Sequence, residues 1–229
     1  MKSLKGYTLV ELLIAMAVMS SLMLVGSFSY QFFANRWNKE LGSFSKVESL
    51  SSGLIALQSI FKGISPFVIY NTSTSPRTPT ILFEGNNDAL LGYTKRGLMY
   101  EEEIFRILIE PEGEGFQLVY QYNNFNKMRL LETTDTIEFE KSVVLLNNIK
   151  HVTFQYYGWN SITEKVESGS TGTTPNLMEK YSSSATQLLP LYILVSIATE
   201  EGSAVIKVDT EKGAHRHISP YIGRLLDEV

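Results

Sequence analysis

The first feature of the chain is an apolar run. Residues 12–34 carry no charge, and at about 1.5 Å per residue a helix of that length spans about 35 Å, enough for a bilayer core of roughly 30 Å. Lys2 and Lys5 precede the run; Arg36, Trp37 and Lys39 follow it and read as an interface anchor. The short N-terminal side is expected in the cytoplasm, with the rest translocated. No proline occurs before Pro66, so the helix is predicted to continue. Leu50, Leu54, Leu57 and Phe61 recur at helical spacing among Ser, Lys and Gln, the pattern of an amphipathic helix packed on the protein's own sheet. Gly42 and Gly53 weaken that helix.

Beyond Pro66 the period changes toward two. Strands are predicted at 81–84, 89–94, 105–110, 116–122, 128–131, 152–157, 192–199 and 204–208. Gly85-Asn-Asn-Asp, Glu112-Gly-Glu-Gly and Asn123-Asn supply turns between them. Residues 160–187 are rich in Ser, Thr and Gly and read as one long surface loop; residues 71–79 read as a shorter one. The fold class that follows is α+β: a long N-terminal helix, transmembrane and then amphipathic, packed on an antiparallel β-sheet ectodomain.

The N-terminus departs from a secretory signal, whose small-residue cleavage site lies beyond a shorter apolar stretch. Here the small residue, Gly6, stands before the apolar run, and an ionisable residue, Glu11, lies inside its start. A carboxylate there is costly and calls for a partner. Gly6-Tyr7-Thr8-Leu9-Val10-Glu11, after two lysines, closely resembles the prepilin peptidase motif of the type IV pilin and pseudopilin superfamily. The resemblance implies cleavage after Gly6 by a membrane aspartyl protease and N-methylation of Tyr7, the new first residue. Most of the family has Phe where this chain has Tyr7. It also implies a filament-assembly role for Glu11, whose carboxylate pairs with the Tyr7 amine of a neighbouring subunit. The expected division is a leader at 1–6, a transmembrane and filament-core helix at 7–35, an amphipathic continuation at 36–65 and a β-rich pilin-like ectodomain at 66–229.

Composition narrows the chemistry. The formal charge of −4 comes without a Lys/Arg cluster after residue 40, which disfavours a nucleic-acid surface. With no cysteine, disulfides and thiol chemistry are excluded. Glu110-Pro-Glu-Gly-Glu-Gly lacks the ligand pattern of a calcium loop and reads as a hairpin turn. Glu101, Glu102 and Glu103 read as a solvated turn, with a docking patch as the sharper alternative. His215 and His217 follow Asp209 and Glu211 without a third converging ligand for zinc, and His151 opens a strand. Ser43-x-x-Lys46 and Ser59-x-x-Lys62 lack the companion motifs of serine–lysine enzymes. No catalytic constellation, cofactor motif or metal set emerges, and the expectation is a structural protein rather than an enzyme.

The large ectodomain points to a minor subunit. The run 145–157 followed by Gly158-Trp159, the polar stretch, Leu189-Pro190 and the strand at 192–199 loosely resemble the J-class minor pseudopilins of type II secretion. That resemblance implies a subunit of the pseudopilus tip that initiates the filament and supports protein secretion. The implied partners are minor pseudopilins of the I, K and H classes, the major pseudopilin, the prepilin peptidase and the inner-membrane assembly platform. The implied location is the bacterial inner membrane, single-pass, with the ectodomain in the periplasm. The alternative is a W-class-like minor pilin that primes a type IV pilus. Because a small residue lets the backbone enter a protease cleft tightly, Gly6→Val is expected to retain the leader and block assembly. Mass spectrometry of the mature protein checks this: processing at the wild-type rate in Gly6→Val would refute the cleavage site.

Overall fold

A computed structural model describes residues 8–200, 202–210, 213–218 and 220–221; the side chains of residues 38–47 and of 215 also fall outside that description. The chain divides into two compact units, Met1–Ser49 and Leu50–Val229. The first is helical wherever it is described beyond Thr8 and belongs to α1 (Leu9–Lys62). Within it Leu9–Trp37 is long and apolar enough to cross a membrane. Its large side chains, among them Leu22, Phe28 and Phe33, are exposed. A helix apolar all round with no protein around it requires another apolar medium.

The second unit holds the last turns of α1 and an all-antiparallel β region. Its elements are β1 (Val68–Asn71), β2 (Thr78–Ile81), β3 (Phe83–Gly85), β4 (Ala89–Thr94), β5 (Glu103–Glu112), β6 (Gly115–Asn124), β7 (Lys141–Ile149) and β8 (His151–Gly158). After these come α2 (Ile162–Thr171), β9 (Asn176–Met178), β10 (Tyr181–Ser182), α3 (Ser183–Thr186), β11 (Tyr192–Ala198) and β12 (Ser203–Asp209). The strands divide among three sheets: β1-β2, a six-stranded sheet in the order β10-β3-β4-β5-β6-β7, and a four-stranded sheet in the order β12-β11-β8-β9. The α+β expectation therefore holds, with the strands split between layers.

The predicted helical stripe is the seam of the core. Leu57 and Phe61 are fully buried and Leu50 and Leu54 partly so. They pack with Phe105, Ile107 and Tyr120 of the six-stranded sheet and with Phe154, Tyr156, Ile193 and Val195 of the four-stranded one. Phe83 meets Tyr156 and Tyr181 edge-on at 5.9 and 6.1 Å, joining the two sheets. Side chains alternate faces along a strand. Ile104 accordingly points away from Phe105, into a second cluster with Ile69, Leu82, Tyr93 and Leu130. Gly53 does not break α1. A Cβ there would strike the Leu145 carbonyl oxygen and the Leu146 side chain, so the missing side chain is what lets helix and β7 approach.

Several sequence expectations need correction. Residues 128–131 form no strand; the segment touches β1 through a single bridge, Tyr70 with Glu132, and buries Leu130 as a lid on the second cluster. β7 was not anticipated, because its apolar residues are interrupted by asparagines and its pairing with β6 carries register shifts. The stretch 160–187 is not one loop. It contains α2, β9, β10 and α3, and it buries Tyr181 and Ser183. The local cause is legible: the Ser161 hydroxyl accepts the Glu164 N–H at 3.1 Å, capping α2, while Glu164 accepts the Asn160 N–H. Residues 72–77 are the turn of the β1–β2 hairpin. The Glu110–Gly115 stretch is the β5–β6 hairpin turn, with Gly113 at φ +58°.

The largest correction concerns Glu103, which is fully buried rather than solvated. Its Oε1 accepts the N–H groups of Met99 and Tyr100 at 2.9 and 2.7 Å, and its Oε2 accepts that of Leu98 at 3.1 Å together with the Tyr120 hydroxyl. One carboxylate thus closes the β4–β5 loop onto β6. Burial, and then the bond to Glu103, push the Tyr120 hydroxyl pKa up beyond its ordinary range. Glu103→Leu strands three backbone donors and one hydroxyl, at a cost of about 3 kcal/mol and a fall in Tm of roughly 10 °C. Thermal unfolding of Glu101→Leu beside Glu103→Leu checks this, since Glu101 is exposed and its replacement should be near neutral.

Candidate functional site: the head of the apolar helix

Two of the residues singled out from sequence, Gly6 and Tyr7, lie outside the described residues, as do Lys2 and Lys5. The site is described from Thr8 onward. Thr8 immediately precedes α1, and its carbonyl accepts the first intrahelical bond, from Leu12 N–H at 3.2 Å. Its hydroxyl accepts the Glu11 N–H at 3.3 Å. In return Glu11 Oε2 accepts the Thr8 N–H at 2.9 Å and the Thr8 hydroxyl at 3.1 Å. This reciprocal arrangement is a capping box, with Thr8 at N-cap and Glu11 at N3. It satisfies amide donors that the first turn of any helix leaves without partners. It also sets a negative charge where the helix dipole favours one.

The signal is present in the sequence as T-x-x-E ahead of an apolar run, but the charge of Glu11 and its assembly role draw attention from its spacing to Thr8. The geometry adds a detail that the spacing alone does not hold. Both bonds from Thr8 fall on Oε2, and Oε1 of Glu11 accepts nothing among the described residues. The carboxylate is held in place by its own helix and keeps half of its acceptor capacity. Chemically it can take a cationic donor from outside the chain without giving up its cap.

The other candidates do not assemble into a second site. Among the described residues no group of three or more His, Cys, Asp or Glu could hold a metal ion. His217 is exposed at the end of the 3-10 turn Ala214–His217, the His215 side chain lies outside the described residues, and so does Glu211. His151 begins β8 and is exposed. Ser59 and Lys62 sit on α1 with Lys62 exposed, whereas the Ser43 and Lys46 side chains lie outside the described residues. Trp37 is exposed at the end of the apolar span.

What the helix head defines is a membrane-capable anchor with a fixed carboxylate in its first turn. Residues 1–27 match the family described as the prokaryotic N-terminal methylation motif. That motif places the chain in the type IV pilin and pseudopilin class. No curated protein matches the chain.

The cap carries a direct consequence. Thr8→Val removes both hydroxyl bonds and is expected to destabilise the helix start by about 1 kcal/mol, while Thr8→Ser keeps it. Amide exchange at Val10–Leu12 should rise about fivefold in Thr8→Val, the factor that 1 kcal/mol represents. Equal exchange in Thr8→Val and Thr8→Ser would show that the cap contributes nothing.

Proposed function

We propose that this protein is a minor pseudopilin of the J class, a structural subunit of the type II secretion pseudopilus tip that initiates the filament and supports protein secretion. The observation that carries the filament-subunit reading is the methylation motif at residues 1–27 joined to an apolar helix that holds a carboxylate in its first turn; the J class rests on the resemblance of residues 145–159 and 189–199. In this reading prepilin peptidase cuts after Gly6, Tyr7 is N-methylated, and the amine of a neighbour's first residue meets Glu11 on its open Oε1. In the low dielectric of a helix bundle such a pair is strongly attractive, and either charge alone would be costly. The protein then sits in the bacterial inner membrane with its ectodomain in the periplasm. The assembly platform, the major pseudopilin and minor pseudopilins of the I, K and H classes are its partners.

The size of the second unit favours a minor position. A repeating filament stacks the same ectodomain at every step. Three sheets, together with the α2–α3 excursion, crowd any copy placed directly above. At the tip that space is open, while neighbours beside and below still supply the amine that Glu11 requires. The role is architectural, in line with a motif that indicates a structural protein.

The expected result is immunogold label at a single end of the filament, at low stoichiometry. Glu11→Leu should insert into the membrane as well as wild type and lose most of that label. Label spread along the shaft would refute the tip position, and full incorporation of Glu11→Leu would refute the pairing role.

A further inference from the structure

The outer face of the six-stranded sheet is only partly covered. Register places Glu84 (β3), Leu91 (β4), Arg106 (β5) and Gln121 (β6) in one rank across four strands. Strand spacing puts Glu84 and Arg106 roughly 10 Å apart, with Leu91 between them. The second cluster covers one end of this face. The chain from β9 to α3 rises beside the other, and a cavity of about 510 Å³ lies between that segment and the sheet. This is within the size range of ligand-receiving clefts. Ala89 and Leu91 contribute apolar surface, and Arg106 and Lys180 line it.

The charges in this cleft are unbalanced. Arg106 donates Nε and Nη2 to Gln121 Oε1 at 2.9 and 2.6 Å, and its guanidinium lies 4.8 Å from the centre of the Phe139 ring. Those contacts fix its plane and leave Nη1 without an acceptor among the described residues. Lys180 is exposed. Among the described residues neither cation of the cleft lies in salt-bridge range of a carboxylate. The one carboxylate lining the cleft, Glu84, uses Oε1 to accept the Ser182 and Ser184 hydroxyls at 2.7 and 3.1 Å, which ties β10 and α3 to β3. In a chain of net charge −4 this is a pocket with two cations to one carboxylate, beside apolar side chains.

We propose that this cleft is a docking site for an acidic side chain, flanked by apolar residues, on an extended segment of a partner protein. The carboxylate accepts from Arg106 Nη1, Lys180 on the opposite wall adds its positive charge, and the flanking side chains lie against Leu91 and Ala89. Guanidinium–carboxylate bonds in a partly desolvated cleft are the strong, directional kind, and a guanidinium already fixed by Gln121 and Phe139 loses little freedom on binding. The inference rests on the cleft alone and stands whatever filament the chain joins.

The test uses the full chain in detergent micelles and fluorescein-labelled, end-blocked heptapeptides centred on Leu-Asp-Leu, Leu-Asn-Leu or Leu-Lys-Leu, with fluorescence anisotropy as the readout. The Asp peptide should bind saturably and at least tenfold more tightly than the Asn peptide, and the difference should shrink as salt rises. Lys180→Glu should weaken the Asp peptide at least tenfold. Arg106→Glu with Lys180→Glu should reverse preference toward the Lys peptide, a swap that loss of structure cannot produce. Ala185→Trp, at an exposed position lining the cleft, should block the Asp peptide with an unchanged circular dichroism spectrum. Equal binding of Asp and Asn peptides, no saturable binding of the Asp peptide up to millimolar concentration, or undiminished binding to Lys180→Glu would each overturn the proposal.

Discussion

A carboxylate cannot be left unsatisfied at the head of an apolar helix, and the way Glu11 is satisfied governs what the helix can do. Thr8 gives it two hydrogen bonds from within the same turn, and Glu11 returns the favour to the helix by accepting an amide that would otherwise have no acceptor. The cost of placing an ionisable group at a membrane boundary is lowered by these bonds and not removed. The helix around it offers no help: its large side chains are apolar and exposed, so that whatever medium receives them must be apolar as well. A helix with those two properties is stable where a second polar group can reach Glu11 while apolar matter surrounds the rest. In the reading proposed above, the helices and N-terminal amines of neighbouring subunits provide both.

Glu103 shows the opposite outcome for the same functional group. It is wholly buried, and both of its oxygens are committed, each to two donors of its own fold. Nothing is left for an outside ligand. A buried carboxylate that has spent all its acceptor capacity is a structural clamp, here holding the β4–β5 loop to β6. A carboxylate fixed on one oxygen and open on the other is preorganised for a partner. The distinction lies in the accounting of individual lone pairs, and residue type and burial alone would have ranked the two the wrong way round.

That accounting also explains which parts of the molecule were legible in the sequence. The apolar helix, the stripe Leu50–Leu54–Leu57–Phe61 and the strands of β4, β5, β6, β8 and β11 followed from periodicity, because each has a face that must be buried. Polar-rich segments were misread. Ser, Thr and Gly across 160–187 suggested a loop, yet Ser161-x-x-Glu164 starts a helix and Tyr181 is a core residue with no apolar neighbours in sequence to announce it. The run Glu101–Glu103 looked uniform, yet only its last member belongs to β5, on the face that also buries Phe105 and Ile107. Thr8-x-x-Glu11 and Ser161-x-x-Glu164 are the same capping signal, and both were passed over because an eye on charge or composition does not test spacing. The cleft at Arg106 and Lys180 was beyond sequence reading altogether, since those residues are far apart in the chain and only sheet register and the β9–α3 excursion bring them to one place.

The second unit therefore has two kinds of surface polar group, and the difference bears on how such a domain meets other proteins. Hydroxyls and amides in the 160–187 excursion are largely engaged with their own chain, as Ser182 and Ser184 are with Glu84 and Ser183 is with the Leu188 carbonyl. They give the excursion a defined form without a large core of its own. Groups with spare capacity are few and sit where the fold has already fixed them. Arg106 is immobilised by Gln121 and Phe139 before any partner arrives, as Glu11 is by Thr8. A side chain so constrained has lost its conformational freedom during folding, so an incoming group of opposite charge need not supply that ordering again. Fixed geometry with an unused hydrogen-bonding position is the common feature of both sites, one an unused acceptor on a helix and the other an unused donor on a sheet. In a protein without a catalytic constellation among its described residues, such positions are where specific contact with another chain is cheapest to make.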